Sequence, residues 1–417
     1  MMGNKRVVGI CDDERQNREN WQEGLSRIPG FDECFEIKAI VAEDDGEFRS
    51  AIEGLMERRK MARKKSSTND NHHNLFDQID ILIVDYDLIN ASHGEWITGE
   101  EIAYLARCYS HCKIIVAVNQ FGSNPFDLNL TGHFPESFAD VNLGDRQVIN
   151  PGLWSYVWPA GFRPWYWPLL PKLVDDIDKR VDDVSGDSLN KSIKDVLGFH
   201  DEAWRLLPRE TVAWITPRNT PKKSSDQFTV REIVTSSSLG LRHKDQVPDD
   251  AVARIAAARI GQWLDHAVLA AQDILVDAPH LVERYSSLLG VKDASVEEFN
   301  KYARIASPSE LKLDVRLSRL AFEKSYWLSR PAWYWPEIAQ TEWISEVANP
   351  WESSAPDAYF CEDISRFVTR EQTREFKVRV SSVFDVRRCV NPDFRKLVPW
   401  MSALSDVDYQ PNGRLLE

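Results

Sequence analysis

Arg6-Val-Val-Gly-Ile-Cys-Asp-Asp-Glu14 decides the fold. A short apolar run, Arg6–Cys11, stops on two acids, and such a run reads as a buried strand. Ile79–Val84 (IDILIV) repeats the arrangement and stops on Asp85. Between and beyond these lie Phe35–Val41 and Lys113–Val118 (KIIVAV), with Leu153–Trp158 (LWSYVW) as the expected fifth strand. Helical spacing separates them: Trp21, Leu25 and Ile28; then Phe48, Ile52, Leu55 and Met56; then Glu100–Cys108; and finally Leu170, Leu173, Val174, Ile177 and Val181. Five short apolar strands alternating with helices predict an α/β domain, a doubly wound parallel sheet covered on both faces.

Beyond a polar stretch at 182–188 (DDVSGDS) the pattern changes. The expected division is a sheet domain over 1–182 and an α-rich domain with minor sheet over 190–417. Val212–Ile215 and Phe228–Val234 read as strands in the second part. Pro248-Asp249-Asp250 opens a long helix that Pro279, which lacks an amide donor, must end or kink. Ser295-Val-Glu-Glu298 and Ser307-Pro-Ser-Glu310 are capping boxes, Gly290 reads as a helix C-cap, and Phe376–Arg388 reads as a strand or hairpin. His266, Asp273 and Asp277 share a face of the expected long helix and read as its solvated border rather than a metal site. Ser236–Lys244, with Arg242, reads as a plain connecting loop.

The chain has 417 residues, 43% hydrophobic and 28% charged, a composition that excludes a mostly disordered protein. No apolar run approaches the roughly 18 residues that span a bilayer, so no membrane partner is expected. The start carries no signal-peptide pattern, and six scattered cysteines suit a reduced, cytoplasmic protein. The net charge of −14 sits mainly in residues 1–200, with 22 basic and 33 acidic side chains. Such a chain is a poor general binder of nucleic-acid backbone. The local exception is 366–396, with nine basic and four acidic residues. There Lys377, Arg379, Arg387 and Arg388 are candidate contacts for nucleic acid or an acidic partner surface. Arg163-Pro-Trp-Tyr-Trp-Pro168 is echoed by Arg330-Pro-Ala-Trp-Tyr-Trp-Pro336, and both are expected to pack between the two halves.

Ligands of open parallel sheets sit beyond the carboxyl ends of the strands. Asp12 and Asp13 end the first strand there, and Asp85 ends the third, with Asp87 two residues on. Converging carboxylates repel one another, and a hard cation such as Mg2+ relieves the repulsion.

These residues resemble the receiver domain of two-component response regulators. The likeness rests on Ile10-Cys-Asp-Asp-Glu14, Ile81-Leu-Ile-Val-Asp-Tyr-Asp-Leu88 and Gly99, and covers roughly 5–182. It implies a flavodoxin-like sheet, Asp12 and Asp13 as Mg2+ ligands, and Asp87 as a ligand through its carbonyl. It also implies Asp85 as acceptor of a phosphoryl group from a histidine kinase in a phosphorelay. Two positions depart from the family. The Ser/Thr seat ending strand four falls on Val118 or Asn119, and the Lys-Pro seat ending strand five falls on Trp158-Pro159. The expectation is therefore an atypical receiver joined to a helical output or partner-binding module. Two rivals stand beside it: a receiver-regulated enzyme, or a nucleic-acid-binding regulator using 366–396.

Overall fold

The computed structural model describes residues 5–41, 47–64, 74–86, 88, 97–119, 137–155, 168–216, 227–236, 241–242, 245–289, 294–303, 315–342, 357–376, 387–391 and 393–394. The chain divides into two compact units. One comprises 1–156, 170–196 and 214–260, and the other 157–169, 197–213 and 261–417. The expected boundary near 182–190 is not where the units part. The chain stays in the first unit to Val196 and returns to it from Trp214 to Ile260.

The first unit is built on five parallel strands in the order β2-β1-β3-β4-β5: β1 (Arg6–Asp12), β2 (Phe35–Val41), β3 (Ile81–Asp85), β4 (Ile114–Asn119) and β5 (Val141–Gly144). This is the flavodoxin-like, doubly wound order. Val8, Ile10, Ile81–Val84 and Ile114–Val118 are all buried, which explains their unbroken apolar runs. The order reverses direction after β2. Right-handed crossovers therefore place helix Arg15–Ser26 on one face and helices Glu47–Lys64 and Gly99–Tyr109 on the other.

The fifth strand is not Leu153–Trp158. It is Val141–Gly144, parallel to β4 with Val118 opposite Leu143. Asp140 secures it, since its amide donates to the Ile115 carbonyl (2.7 Å) and its carboxylate accepts from the Ile115 amide (2.7 Å). Pro151–Trp154 is instead a helical turn, with Asn150 capping its start. A proline at the first helical position suits that role.

Val212–Ile215 and Phe228–Val234 also differ from expectation. Helices Arg209–Ile215 and Val230–Ser236 occupy these stretches. Runs this short do not distinguish a buried strand from a buried helical turn. The deciding signal is local: the Glu232 amide and the Thr229 hydroxyl meet at 3.2 Å, while the Thr229 amide donates to the Glu232 carboxylate at 3.0 Å, a capping box. Ser295 and Glu298 form the expected box at the start of helix Val296–Ala303. Ser307–Glu310 and Gly290 lie outside the described residues.

The long helix opened by Pro248 is Asp249–Trp263. It passes into a π-helical turn, Leu264–Val268, and does not reach Pro279. Two antiparallel strands follow in the second unit, β6 (Leu275–Asp277) and β7 (Ala332–Tyr334). Pro279 starts a helix, Ala278–Arg284, that Asp277 caps. His266, Asp273 and Asp277 therefore do not share one helix face. His266 is buried, and burial pushes its imidazole down to about 4.

A second, mixed sheet has the order β10-β11-β8-β9, from β8 (Tyr359–Cys361), β9 (Arg366–Val368), β10 (Thr373–Phe376) and β11 (Arg387–Val390). Its β9 edge is closed by buried Asn300, whose side chain exchanges two hydrogen bonds with the Phe367 backbone at 2.8 and 3.1 Å. Trp333 and Trp335 belong to this unit's own core with Val276, Leu281, Tyr285 and Ile338. Trp335 stacks on Tyr285, with centroids 5.9 Å apart. The partner motif at 165–167 lies outside the described residues. No helix among the described residues is long and apolar enough to cross a membrane.

Candidate metal centre

Register brings the acids together. Cys11 lies opposite Val84 in the β1–β3 pair, so the next residues, Asp12 and Asp85, end adjacent strands side by side. Asp13 joins them from the first residue beyond β1. One carboxylate oxygen from each of the three lies within 4.8 Å of the others. Asp12 and Asp85 are buried and Asp13 is half-buried.

The Glu14 amide donates to Asp12 Oδ1 at 2.7 Å. The other oxygen, Oδ2, is buried and accepts no hydrogen bond from the described residues. Burial pushes the Asp12 carboxyl up to about 6 against the opposing pull of that amide, and the charge of Asp13 adds to the rise. A buried carboxylate oxygen without a donor, beside two further carboxylates, is an electrostatic cost that a hard cation removes. Mg–O bonds of about 2.0–2.1 Å place ligand oxygens roughly 3–4 Å apart, against separations of up to 4.8 Å in this triad.

Three neighbours shape the triad. Arg18, buried on helix Arg15–Ser26, donates to the backbone carbonyl of Asp12 at 2.5 Å. Its cation thus braces the strand end. Trp21, one turn on, donates to Asp145 just past β5 at 2.7 Å. Gly99 starts the helix that abuts β3: its amide donates to the Tyr86 carbonyl at 3.0 Å, and a Cβ there would lie 2.0 Å from the Asp85 carbonyl oxygen. Only glycine allows that approach. Periodicity places Trp21 on a buried helix face and Gly99 at a helix start. Nothing in the local pattern marks Arg18 as buried.

Of the remaining expected site residues, Val118 is buried and pairs with Asp85 in the β3–β4 ladder. Its carbonyl accepts from the Tyr86 amide at 2.7 Å. Asn119 is the last residue of β4. Asp87 and Trp158 lie outside the described residues, as do Lys377 and Arg379. The described fifth strand, Val141–Gly144, ends on Leu143 and Gly144, with Asp145 next in the chain. Arg387 is only 2% exposed, ion-paired with Glu362 and bonded to the Ala270 carbonyl at 2.7 Å, so its charge is spent inside the fold. Arg388 is half-buried and pairs with Glu283 at 3.2 Å.

No protein-family model matches the chain, and searches of curated proteins and of solved structures give no match.

Proposed function

We propose that the protein is a signalling protein in which the first unit acts as an atypical receiver, with Asp12, Asp13 and Asp85 holding Mg2+ and Asp85 as a slow phosphoryl acceptor. The supporting observation is the convergence of these three carboxylates at the carboxyl edge of a 2-1-3-4-5 parallel sheet. In the transfer, an Asp85 oxygen bonds to phosphorus as the P–N bond of a kinase phosphohistidine breaks and the imidazole takes a proton. Bound Mg2+ would offset the repulsion between the acids and the incoming phosphoryl group. Asp12 and Asp13 orient that charge, and Arg18 holds the strand end that carries them.

Three features favour slow transfer. Asp85 is 2% exposed, so a donor reaches it only when the strand end opens. Val118 carries no hydroxyl to bind the phosphoryl group, and no lysine ends β5. The second unit serves as the output or partner-binding module, and the protein works in the cytoplasm with a histidine kinase or another signalling protein as partner.

Calorimetric titration is expected to show Mg2+ binding that weakens more than tenfold in Asp13→Asn, equivalent to a loss of about 1.4 kcal/mol or more. Binding unchanged by that substitution would overturn the metal assignment. Incubation with acetyl phosphate and Mg2+ is expected to label only a minor fraction of the chain by intact mass, and none of Asp85→Asn. Rapid, near-complete labelling would refute the slow acceptor.

A further inference from the structure

Asp245 sits far along the chain from the sheet, yet its side chain is fully buried in the first unit. Arg59 donates to it through Nη2 at 2.8 Å and Nε at 3.0 Å, Arg63 through Nε at 2.5 Å, and the Tyr104 hydroxyl at 2.5 Å. These donors hold the carboxyl below the usual carboxylate range, against the opposing effect of burial. Three residues earlier, Arg242 pairs with Glu101 and lies over the Tyr104 ring, 4.2 Å from its centroid. Arg59 also pairs with Glu101, at 3.0 Å. Further on, buried Arg259 lies over the Phe138 ring at 4.4 Å, and its charge faces Glu100. Arg242, Asp245 and Arg259 thus grip helix Gly99–Tyr109 through its first turns, and Asp245 grips helix Glu47–Lys64 through two arginines.

The same first turn is fitted against the acidic site. Gly99 meets the Asp85 carbonyl with no room for a methyl group, and Glu100 and Glu101 follow directly. A displacement of the Asp85–Tyr86 backbone must therefore move the residues that anchor Arg242 and face Arg259. Packed contacts without slack transmit small shifts in this way.

We propose that residues 241–242 and 245–260 form a clasp whose hold on helices Glu47–Lys64 and Gly99–Tyr109 is tightened by cation binding at Asp12, Asp13 and Asp85. The proposal rests on the metal reading above. A cation that draws Asp85 toward Asp12 and Asp13 orders the end of β3, which steadies the first turn of helix Gly99–Tyr109 and the Glu101 pairs with Arg59 and Arg242. Two-state coupling of this kind is reciprocal, so a tightened clasp also favours the cation.

Hydrogen–deuterium exchange on the full chain, with and without Mg2+, tests this. Expected is severalfold slower exchange in peptides covering 5–20 and 241–260 alike. In Arg242→Gln, and in Glu101→Gln as a second variant, the response of 5–20 is expected to persist while that of 241–260 is lost. A response at 5–20 with none at 241–260 in the native chain would overturn the clasp and leave the metal site standing. An undiminished response at 241–260 in both variants would also overturn it. No response at either place would overturn the metal reading and the clasp with it.

Discussion

Glu362→Ala is expected to destabilise the second unit by about 3–5 kcal/mol, the usual cost of removing one partner from a buried ion pair. Glu362 is 1% exposed and serves two cations at once, accepting from Arg387 and from His280 Nε2 at 3.1 Å. The other ring nitrogen of His280 meets Asp277 at 2.6 Å. Loss of the carboxylate leaves a guanidinium and half of an imidazolium clamp buried without it. Glu362→Gln keeps the acceptor oxygen and is expected to cost less. Urea denaturation monitored by tryptophan fluorescence, resolving a transition for each unit, measures both. A Glu362→Ala transition within about 0.5 kcal/mol of the native chain, the range of ordinary surface changes, would refute the role given to the network.

The same network carries a pH signature. Burial alone would lower the His280 imidazole, but Asp277 and Glu362 overcome it and raise the group to about 9. A raised cationic group contributes stability that is complete below its ordinary value near 6.5 and is lost as pH rises through about 9. Asp277 and Glu362 are held below their ordinary values by His280 and Arg387, so their contribution fades on the acid side. Among the described residues, the charge of Arg330 also faces Asp277, and that of Glu283, on the His280 helix, faces His280. The second unit should therefore be most stable between the two limits. His280→Gln is expected to flatten the alkaline limb, and an alkaline limb unchanged in that variant would show that another group causes it.

Gly99→Ala is expected to cost about 3 kcal/mol in the first unit, at the upper end of overpacking penalties. The added methyl would lie 2.0 Å from the Asp85 carbonyl oxygen and 2.8 Å from the Tyr86 Cα. Both are backbone, so no side-chain rotation relieves the clash. The helix and β3 must part, and Asp85 leaves Asp12 and Asp13. Mg2+ affinity should fall together with thermal stability. Gly30→Ala tests a different property, because that position has a φ of +79° but nothing within 4 Å of an added Cβ, so strain there is confined to the backbone. Native-like Mg2+ binding in Gly99→Ala would mean that the approach of helix to strand does not set the site.

Four of the five parallel strands were legible in the sequence, three of them because two-sided burial writes itself as continuous apolar runs and the edge strand Phe35–Val41 through its spaced apolar residues. Val7–Cys11, Ile81–Val84 and Ile114–Val118 are such runs, and the acids that close two of them are what the site requires. Local chemistry likewise determined the Ser295 and Thr229 capping boxes, although the apolar residues around Thr229 pointed to a strand. Val141–Gly144 was not legible: four residues containing asparagine and glycine have little strand character alone, and pairing with β4 and the Asp140 bonds select them. Leu153 and Trp154 have stronger strand character yet form a helical turn, because Asn150 and Pro151 start one.

The site divides in the same way. That Asp12, Asp13 and Asp85 lie at strand ends follows from the sequence alone. That Asp12 keeps a buried oxygen with no donor among the described residues, and that Gly99 wedges against Asp85, follows from how strand and helix meet. The basic stretch near the C-terminus looked like a surface by count, but Arg387 is drawn inside by Glu362, twenty-five residues before it in sequence. Asp245 and Arg59 are farther apart still. Periodicity and capping act over one or two turns, so they determine the elements. Which charges become buried pairs depends on which distant faces pack together, and only the tertiary structure decides that.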